Sequence, residues 1–205
     1  VLQSVNCDDM TNLSKTASHC RRIIYEASGD HFWLKVIIQE AYYTLCKKYD
    51  NENMDLSVAV RSSATAEDLP YSSFAGQHDT YLNIRGIEQL YEATRHCLAS
   101  VFTSRALAYR ESKQYPHLEV ELCVCVQMMV RSDLGASGVA FTCDVDSGSD
   151  SVVLINSSWG LGEAVVQGIV DVDEYYVHSE SFRKGYRTVL HHSLGKKEQL
   201  MKYND

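Results

Sequence analysis

The sequence predicts an α+β fold of two lobes, on three observations. Two apolar patterns of helical spacing open the chain, and a long amphipathic helix follows further on. The period then shortens, and the second half reads mostly as strands separated by Gly-rich or acidic turns. The length of 205 residues suits one large domain or two small lobes sharing a cleft, with the division expected near residues 115/116.

Taken in order, residues 9–27 carry Leu13, Ala17, Cys20, Ile24 and Ala27 at three- and four-residue spacing, which is one helix face. Residues 32–49 repeat the pattern with Trp33, Val36, Ile37, Ala41, Leu45 and Cys46 inward, and Gly29-Asp30 breaks the two helices apart. A polar loop at 51–55 leads into a short β-branched strand at 56–60. Residues 61–79 are rich in Ser, Ala, Thr and Gly and read as a long structured loop, with one helical turn capped by Thr65 and Asp68. A loop of that length in a compact domain is usually functional or disordered. A strand at 80–84 precedes a long amphipathic helix at 86–112, with Leu90, Ala93, Cys97, Val101, Ala106 and Tyr109 inward. Strands are expected at 118–130, 138–142, 151–156, 174–178 and 188–190.

Charge narrows the function classes. Lys plus Arg is 19 and Asp plus Glu is 27, a net charge of −8. Duplex binding draws most of its affinity from phosphate neutralisation by a basic surplus, so nucleic acid is not an expected partner. One phosphorylated small molecule needs only a local cluster of donors. No apolar run approaches the roughly 20 residues of a membrane span, and the first residues lack the basic and apolar blocks of a signal peptide. With no initiator Met, the sequence reads as a piece of a longer chain. A cytoplasmic location without membrane association is the expectation.

The seven cysteines are scattered and form no Cys-x-x-Cys pair, so no metal site is expected. Cys123 and Cys125 alternate in a strand with both thiols on one face. They are expected as reduced, buried small hydrophobes. His191 and His192 are adjacent on a strand and point to opposite faces, while His78 sits in the long loop.

Two segments carry candidate chemistry. Trp159-Gly-Leu-Gly-Glu-Ala-Val-Val-Gln-Gly168 follows a strand and opens a helix, but its glycine spacing is not that of a dinucleotide fingerprint, and Gly195-Lys196-Lys197 lacks the rest of a phosphate loop. A tight structural turn is its default reading. Val58-Ala-Val-Arg-Ser-Ser-Ala-Thr-Ala-Glu-Asp-Leu-Pro70 sets Arg61 at the end of a strand before small hydroxyl residues. A guanidinium there offers forked donors to a polyphosphate, and small side chains let the backbone approach.

This segment and four more blocks in the same order resemble the nucleotide-binding domain of the pyruvate phosphate dikinase and phosphoenolpyruvate synthase family. The others are Ser73-Phe-Ala-Gly-Gln-His-Asp-Thr-Tyr-Leu-Asn83, Val126-Gln-Met-Met-Val-Arg-Ser-Asp133, Ala136-Ser-Gly-Val-Ala-Phe-Thr142 and Ile155-Asn-Ser-Ser-Trp-Gly-Leu-Gly-Glu-Ala-Val-Val-Gln-Gly168, the last extended by Asp173-Glu-Tyr-Tyr-Val-His178. The resemblance implies an ATP-grasp-like domain, incomplete at both ends, whose lobes close over ATP. It implies an ATP-dependent dikinase that passes phosphate to a histidine on a separate domain and then to pyruvate on a barrel domain, releasing AMP, phosphoenolpyruvate and phosphate. By the same resemblance Arg61 holds the ATP phosphates, and Gly76 and Thr80 contact them from the lid. Gln127 meets the adenine edge, Met128, Met129 and Val130 run along the base, and Thr142 stands near the transferring phosphate. For Glu163 the resemblance leaves two roles open, touching nucleotide or bracing the turn.

Departures from the family pattern matter. Its early Gly-Gly-Lys motif would lie before Val1, and the motifs that supply Mg²⁺ ligands and a second phosphate arginine would lie beyond Asp205. Neither a phosphoryl-accepting histidine motif nor a pyruvate-binding barrel is present, and Val172 stands where the family usually has Pro. Phosphoryl transfer depends on positioning and charge neutralisation, so the isolated chain is expected to cradle ATP without transferring phosphate. Two alternatives remain at this stage: a phosphotransferase of the same superfamily with another acceptor, such as an antibiotic, and a non-catalytic remnant that binds nucleotide or a partner.

Overall fold

A computed structural model describes residues 2, 9–64, 68–69, 72–73 and 79–203. The chain divides into two compact units, Val1–Met129 and Val130–Asp205. The division falls later than 115/116 because the strand Leu122–Met128 pairs along the whole of Val58–Ala64 and so belongs to the first unit.

The first unit begins with α1, Met10–Gly29, and α2, Phe32–Lys48. Asp9 caps α1 by accepting from the amides of Thr11 and Asn12 at 2.9 and 3.1 Å, relieving two donors that the helix leaves unpaired. Leu13, Ala17 and Cys20 are buried as the spacing predicts, but Ala27 is exposed. On α2 the predicted inward face is rotated. Trp33 and Ala41 are exposed, and Tyr42 is buried with Cys46. Ile37 is exposed too, at the rim of an apolar groove with Leu34, Ile38, Leu45 and Leu98. A run of consecutive apolar residues gives a helix no single face, which is why period alone misassigns it.

Strand β1, Val58–Ala64, is longer than 56–60, so Arg61 lies inside the strand rather than at its end. Beyond it β2, Asp68–Leu69, pairs with β3, Ser72–Ser73, as a small hairpin. The expected helical turn there is therefore strand at Asp68, while Thr65, Gly76 and His78 lie outside the described residues. Strand β4, Thr80–Ile84, matches its predicted span.

The single helix predicted over 86–112 is three pieces: α3, Gly86–Ala99, a 3-10 turn, Ser100–Phe102, and α4, Ser104–Ser112. Thr103 causes the break. Its backbone is extended at ψ 154°, and its side chain accepts from the Ala106 amide at 3.1 Å, so it caps a new helix instead of continuing the old one. Strand β5, Leu122–Met128, completes an antiparallel sheet of order β4-β1-β5. Val58 and Val60, with Val124 and Val126, pack from this sheet against Tyr42, Cys46, Leu90, Ala93 and Cys97 of the helices. Each fully buried side chain of this kind contributes about 1.5–3 kcal/mol.

The second unit is a four-stranded antiparallel sheet of order β6-β7-β8-β9: Ala136–Phe141, Val152–Trp159, Asp173–His178 and Val189–Ser193. Short helices α5, Gly162–Val166, and α6, Ser179–Arg183, sit at its turns. All four strands fall where the sequence predicts them, within a few residues.

Candidate functional site

Helices cover one face of the β4-β1-β5 sheet, and on the other, open face Arg61, Ser63, Thr80, Cys123, Cys125 and Gln127 are exposed while Ala59 is buried. Residues directly opposite in an antiparallel pair project to the same side, and neighbours along a strand alternate. Arg61 pairs with Thr80 on β4 and with Cys125 on β5, Ala59 with Gln127, and Ser63 with Cys123. Arg61, Thr80 and Gln127 therefore share the open face, and all three are exposed. Met128 pairs with Val58 and takes the opposite side of the strand. Met129 continues the pairing, its amide donating to the Ser57 carbonyl at 2.9 Å.

A bulge on β4 shapes this face. Val58 pairs with Ile84 but Val60 with Tyr81, so Leu82 and Asn83 together oppose Ala59. Asn83 takes up the extra residue at φ 54°, and its Oδ1 accepts from Ser57 Oγ at 2.8 Å. The bulge restores the register that sets Thr80 opposite Arg61.

Arg61 differs electrostatically from its neighbours. Each of the other six arginines in the first unit is held by a partner. Arg21 and Arg105 meet Asp79, Arg22 meets Glu26, Arg85 meets Asp55, Arg95 meets Glu92, and Arg110 donates to the Val101 carbonyl. Arg61 has no hydrogen-bond or ion-pair partner among the described residues. Asp79, one residue before Thr80, is engaged by the helices, its carboxylate lying 3.3 Å from Arg21 and 3.5 Å from Arg105. The open face thus carries an uncompensated guanidinium on a rigid strand, a geometry suited to an anion.

Val130, Thr142 and Glu163 belong to the second unit. Thr142 follows the last residue of β6, whereas Glu163 lies in α5, whose Gly162 packs on Ser137 near the start of β6. Five residue steps along the strand, about 17 Å, separate Ser137 from Thr142, so these two candidates stand toward opposite ends of one strand. Glu163 accepts from the Gln167 side chain at 2.8 Å within its own helix.

The Gly-rich turn is tightly built. Gly160 has φ +85°, and a Cβ there would meet the Met201 carbonyl oxygen at 2.3 Å. Its carbonyl accepts from Ser137 Oγ at 2.7 Å, and the Leu161 amide donates to Met201 at 2.9 Å. Lys197, from the phosphate-loop-like Gly195-Lys196-Lys197, is bonded to Asp173, and this bond followed by the Gly195 amide holds the Asp173 carboxyl below its ordinary range.

The model of the family described as pyruvate phosphate dikinase, AMP/ATP-binding domain, matches residues 1–205. The chain belongs to this family. It is 45% identical over 205 residues to phosphoenolpyruvate synthase of Aquifex aeolicus, covering 99% of this chain and 23% of that protein. It is 44% identical over 203 residues to the Escherichia coli phosphoenolpyruvate synthase, covering 99% of this chain and 25% of that one. A probable phosphoenolpyruvate synthase of Methanothermobacter thermautotrophicus is 40% identical over 205 residues, covering 100% and 28%. The chain thus spans about a quarter of the length of these relatives.

As an AMP/ATP-binding domain of this family, the first unit presents its one uncompensated arginine among the described residues beside Thr80. Among the described residues no group of three His, Cys, Asp or Glu side chains could hold a metal ion. Nor is any helix among the described residues long and apolar enough to cross a membrane. The sequence reading missed the exposure of Cys123 and Cys125. Both are free thiols on the open face, beside Ser63 and Arg61. The alternation that set them on one face was visible, but which face the helices cover was not. Cys20, Cys46 and Cys97 are buried as expected.

Proposed function

We propose that this chain is the nucleotide-binding part of a phosphoenolpyruvate synthase, with an ATP-grasp-like arrangement in which ATP phosphates meet the open face of the first sheet. The observation that carries the reading is Arg61, exposed and without a partner among the described residues, directly opposite Thr80. Its forked donors bind phosphate oxygens bidentately, and the Thr80 hydroxyl adds a hydrogen bond from the neighbouring strand. Gln127, two strand positions from Cys125 on the same face, takes the adenine edge, and Met129 and Val130 run along the base, Met128 lying on the other side of the strand. Gly76, outside the described residues, contacts the phosphates, and Thr142 lies near the transferring phosphate. Glu163 braces its own turn, a role favoured by its bond to Gln167.

In the whole protein the phosphoryl group passes to a histidine on another domain and then to pyruvate, and Mg²⁺ takes its ligands from outside this chain. What these residues contribute is orientation and charge. Arg61 offsets phosphate charge from a position set by the strand, and positioning with charge neutralisation is where most catalysis of phosphoryl transfer originates. A cytoplasmic location is part of the same reading.

Calorimetric titration of the folded chain with ATP and with GTP tests it. Saturable ATP binding tighter than GTP binding is expected, with the preference reduced by Gln127→Ala. No ATP binding at millimolar concentration by a folded sample would contradict it.

A further inference from the structure

Six free cysteines are described, and they fall into two chemical groups. Cys20, Cys46 and Cys97 are buried, and burial pushes the Cys97 thiol up to about 12 and raises that of Cys20 as well. The Cys20 and Cys97 thiols stay protonated, and all three are shielded. Cys123 and Cys125 are exposed, two residues apart on one face of a strand, and Cys143 of the second unit is partly exposed. Of the exposed pair, Cys125 stands directly across from Arg61, and Cys123 stands across from Ser63. Directly opposed residues have Cβ atoms about 5 Å apart. An adduct on Cys125 therefore occupies the space above the guanidinium.

We propose that Cys125 is a thiol modification site on the phosphate-binding face, taking small anionic disulfides that Arg61 attracts, and that its adduct excludes ATP. This rests on the nucleotide reading above. The step is a thiol–disulfide exchange. The Cys125 thiol gives its proton to solvent, the thiolate attacks one sulfur of the disulfide, a new S–S bond forms, and the old one breaks with its electron pair leaving on the departing thiolate. No further oxidant is required, and a small-molecule thiol reverses it. The guanidinium supplies both the attraction for an anionic reagent and the reason the adduct matters, since reagent and phosphate compete for one cation.

The test uses 5,5′-dithiobis(2-nitrobenzoate), a dianionic disulfide whose released thiolate is coloured, on the folded chain, with adducts located by peptide mass mapping. Cys125 is expected among the first cysteines labelled. Saturating ATP should slow its labelling at least tenfold, and Arg61→Ala should slow it several-fold while Arg61→Lys does not. One equivalent on Cys125 should weaken ATP binding at least tenfold, with recovery after dithiothreitol. Treated Cys125→Ser should bind ATP as tightly as the same variant untreated, whereas treated Cys123→Ser should still lose affinity. ATP binding that survives a stoichiometric Cys125 adduct, or a Cys125 that stays unlabelled in the folded chain, overturns the thiol site alone. An untreated folded chain that binds no ATP overturns the nucleotide reading and the blocking role with it.

Discussion

Arg61 and Thr80 stand directly opposite each other on β1 and β4, on the sheet face that the helices leave open. The pairing depends on what lies around it. The bulge at Leu82 and Asn83 sets the register, and the Asp79 carboxylate next to Thr80 is taken up by Arg21 and Arg105 of the helices. A guanidinium with no partner among the described residues remains available to an anion.

The sheet beneath is anchored by Tyr42, which is 1% exposed. Its hydroxyl donates to the Leu56 carbonyl at 2.8 Å and accepts from the Gly86 amide at 3.1 Å, tying α2 to the chain before β1 and to the start of α3. Burial pushes its pKa up to about 12. Tyr42→Phe strands both backbone groups and should cost about 1–3 kcal/mol. Urea unfolding should show this as a lower midpoint with an unchanged slope.

A pH dependence is expected from His117. Arg110, fully buried, donates from Nε to His117 Nδ1 at 3.2 Å, and the other ring nitrogen lies 3.2 Å from Glu111. Accepting from a guanidinium requires a neutral ring at Nδ1. Burial, then the Arg110 charge, lowers the His117 pKa, with Glu111 opposing. The unfolded chain thus takes up a proton first. This contribution is whole above the ordinary value of 6.5 and is lost as pH falls from there toward the lower folded value. Carboxylates held low, such as Glu92 and Asp173, act only in the more acidic range below their ordinary values of 4.5 and 3.8. Unfolding midpoints at pH 7.5 and 6.0 should differ in the native chain, and differ less in His117→Gln.

Much of this was legible in the sequence, and the failures share a cause. Alternation located the strands of both units and assigned Cys123 and Cys125 to one face, because period two is a local property of the backbone. Which face is covered is a tertiary property, so the two cysteines were expected inside. The same gap rotated α2, where Trp33 and Ile37 read as core and Tyr42 was overlooked. Thr103 interrupts a helix through one side-chain hydrogen bond, which apolar spacing does not register. Arg61 was singled out as a candidate from its small neighbours. Its lack of a partner among the described residues is a tertiary property that spacing does not register.

The Gly-rich turn offers a separate test. At φ +85°, with the Met201 carbonyl 2.3 Å from where a Cβ would be, Gly160 accepts no side chain without moving backbone. Gly160→Ala should destabilise the second unit by about 2 kcal/mol or more. Hydrogen exchange should show amides around Leu161 losing protection, while those of β1 and β5 keep theirs.

The central claim is that Arg61 meets phosphate, and the most direct measurement compares ATP with adenosine on the native chain and Arg61→Ala. Removing a charge-assisted hydrogen bond costs about 1.5–3 kcal/mol, so ATP affinity should fall by about tenfold to a hundredfold. Adenosine affinity should stay within about twofold, because the nucleoside has no phosphate for Arg61 to hold. An equal loss for both ligands, or no loss for ATP in a folded variant, would contradict the account.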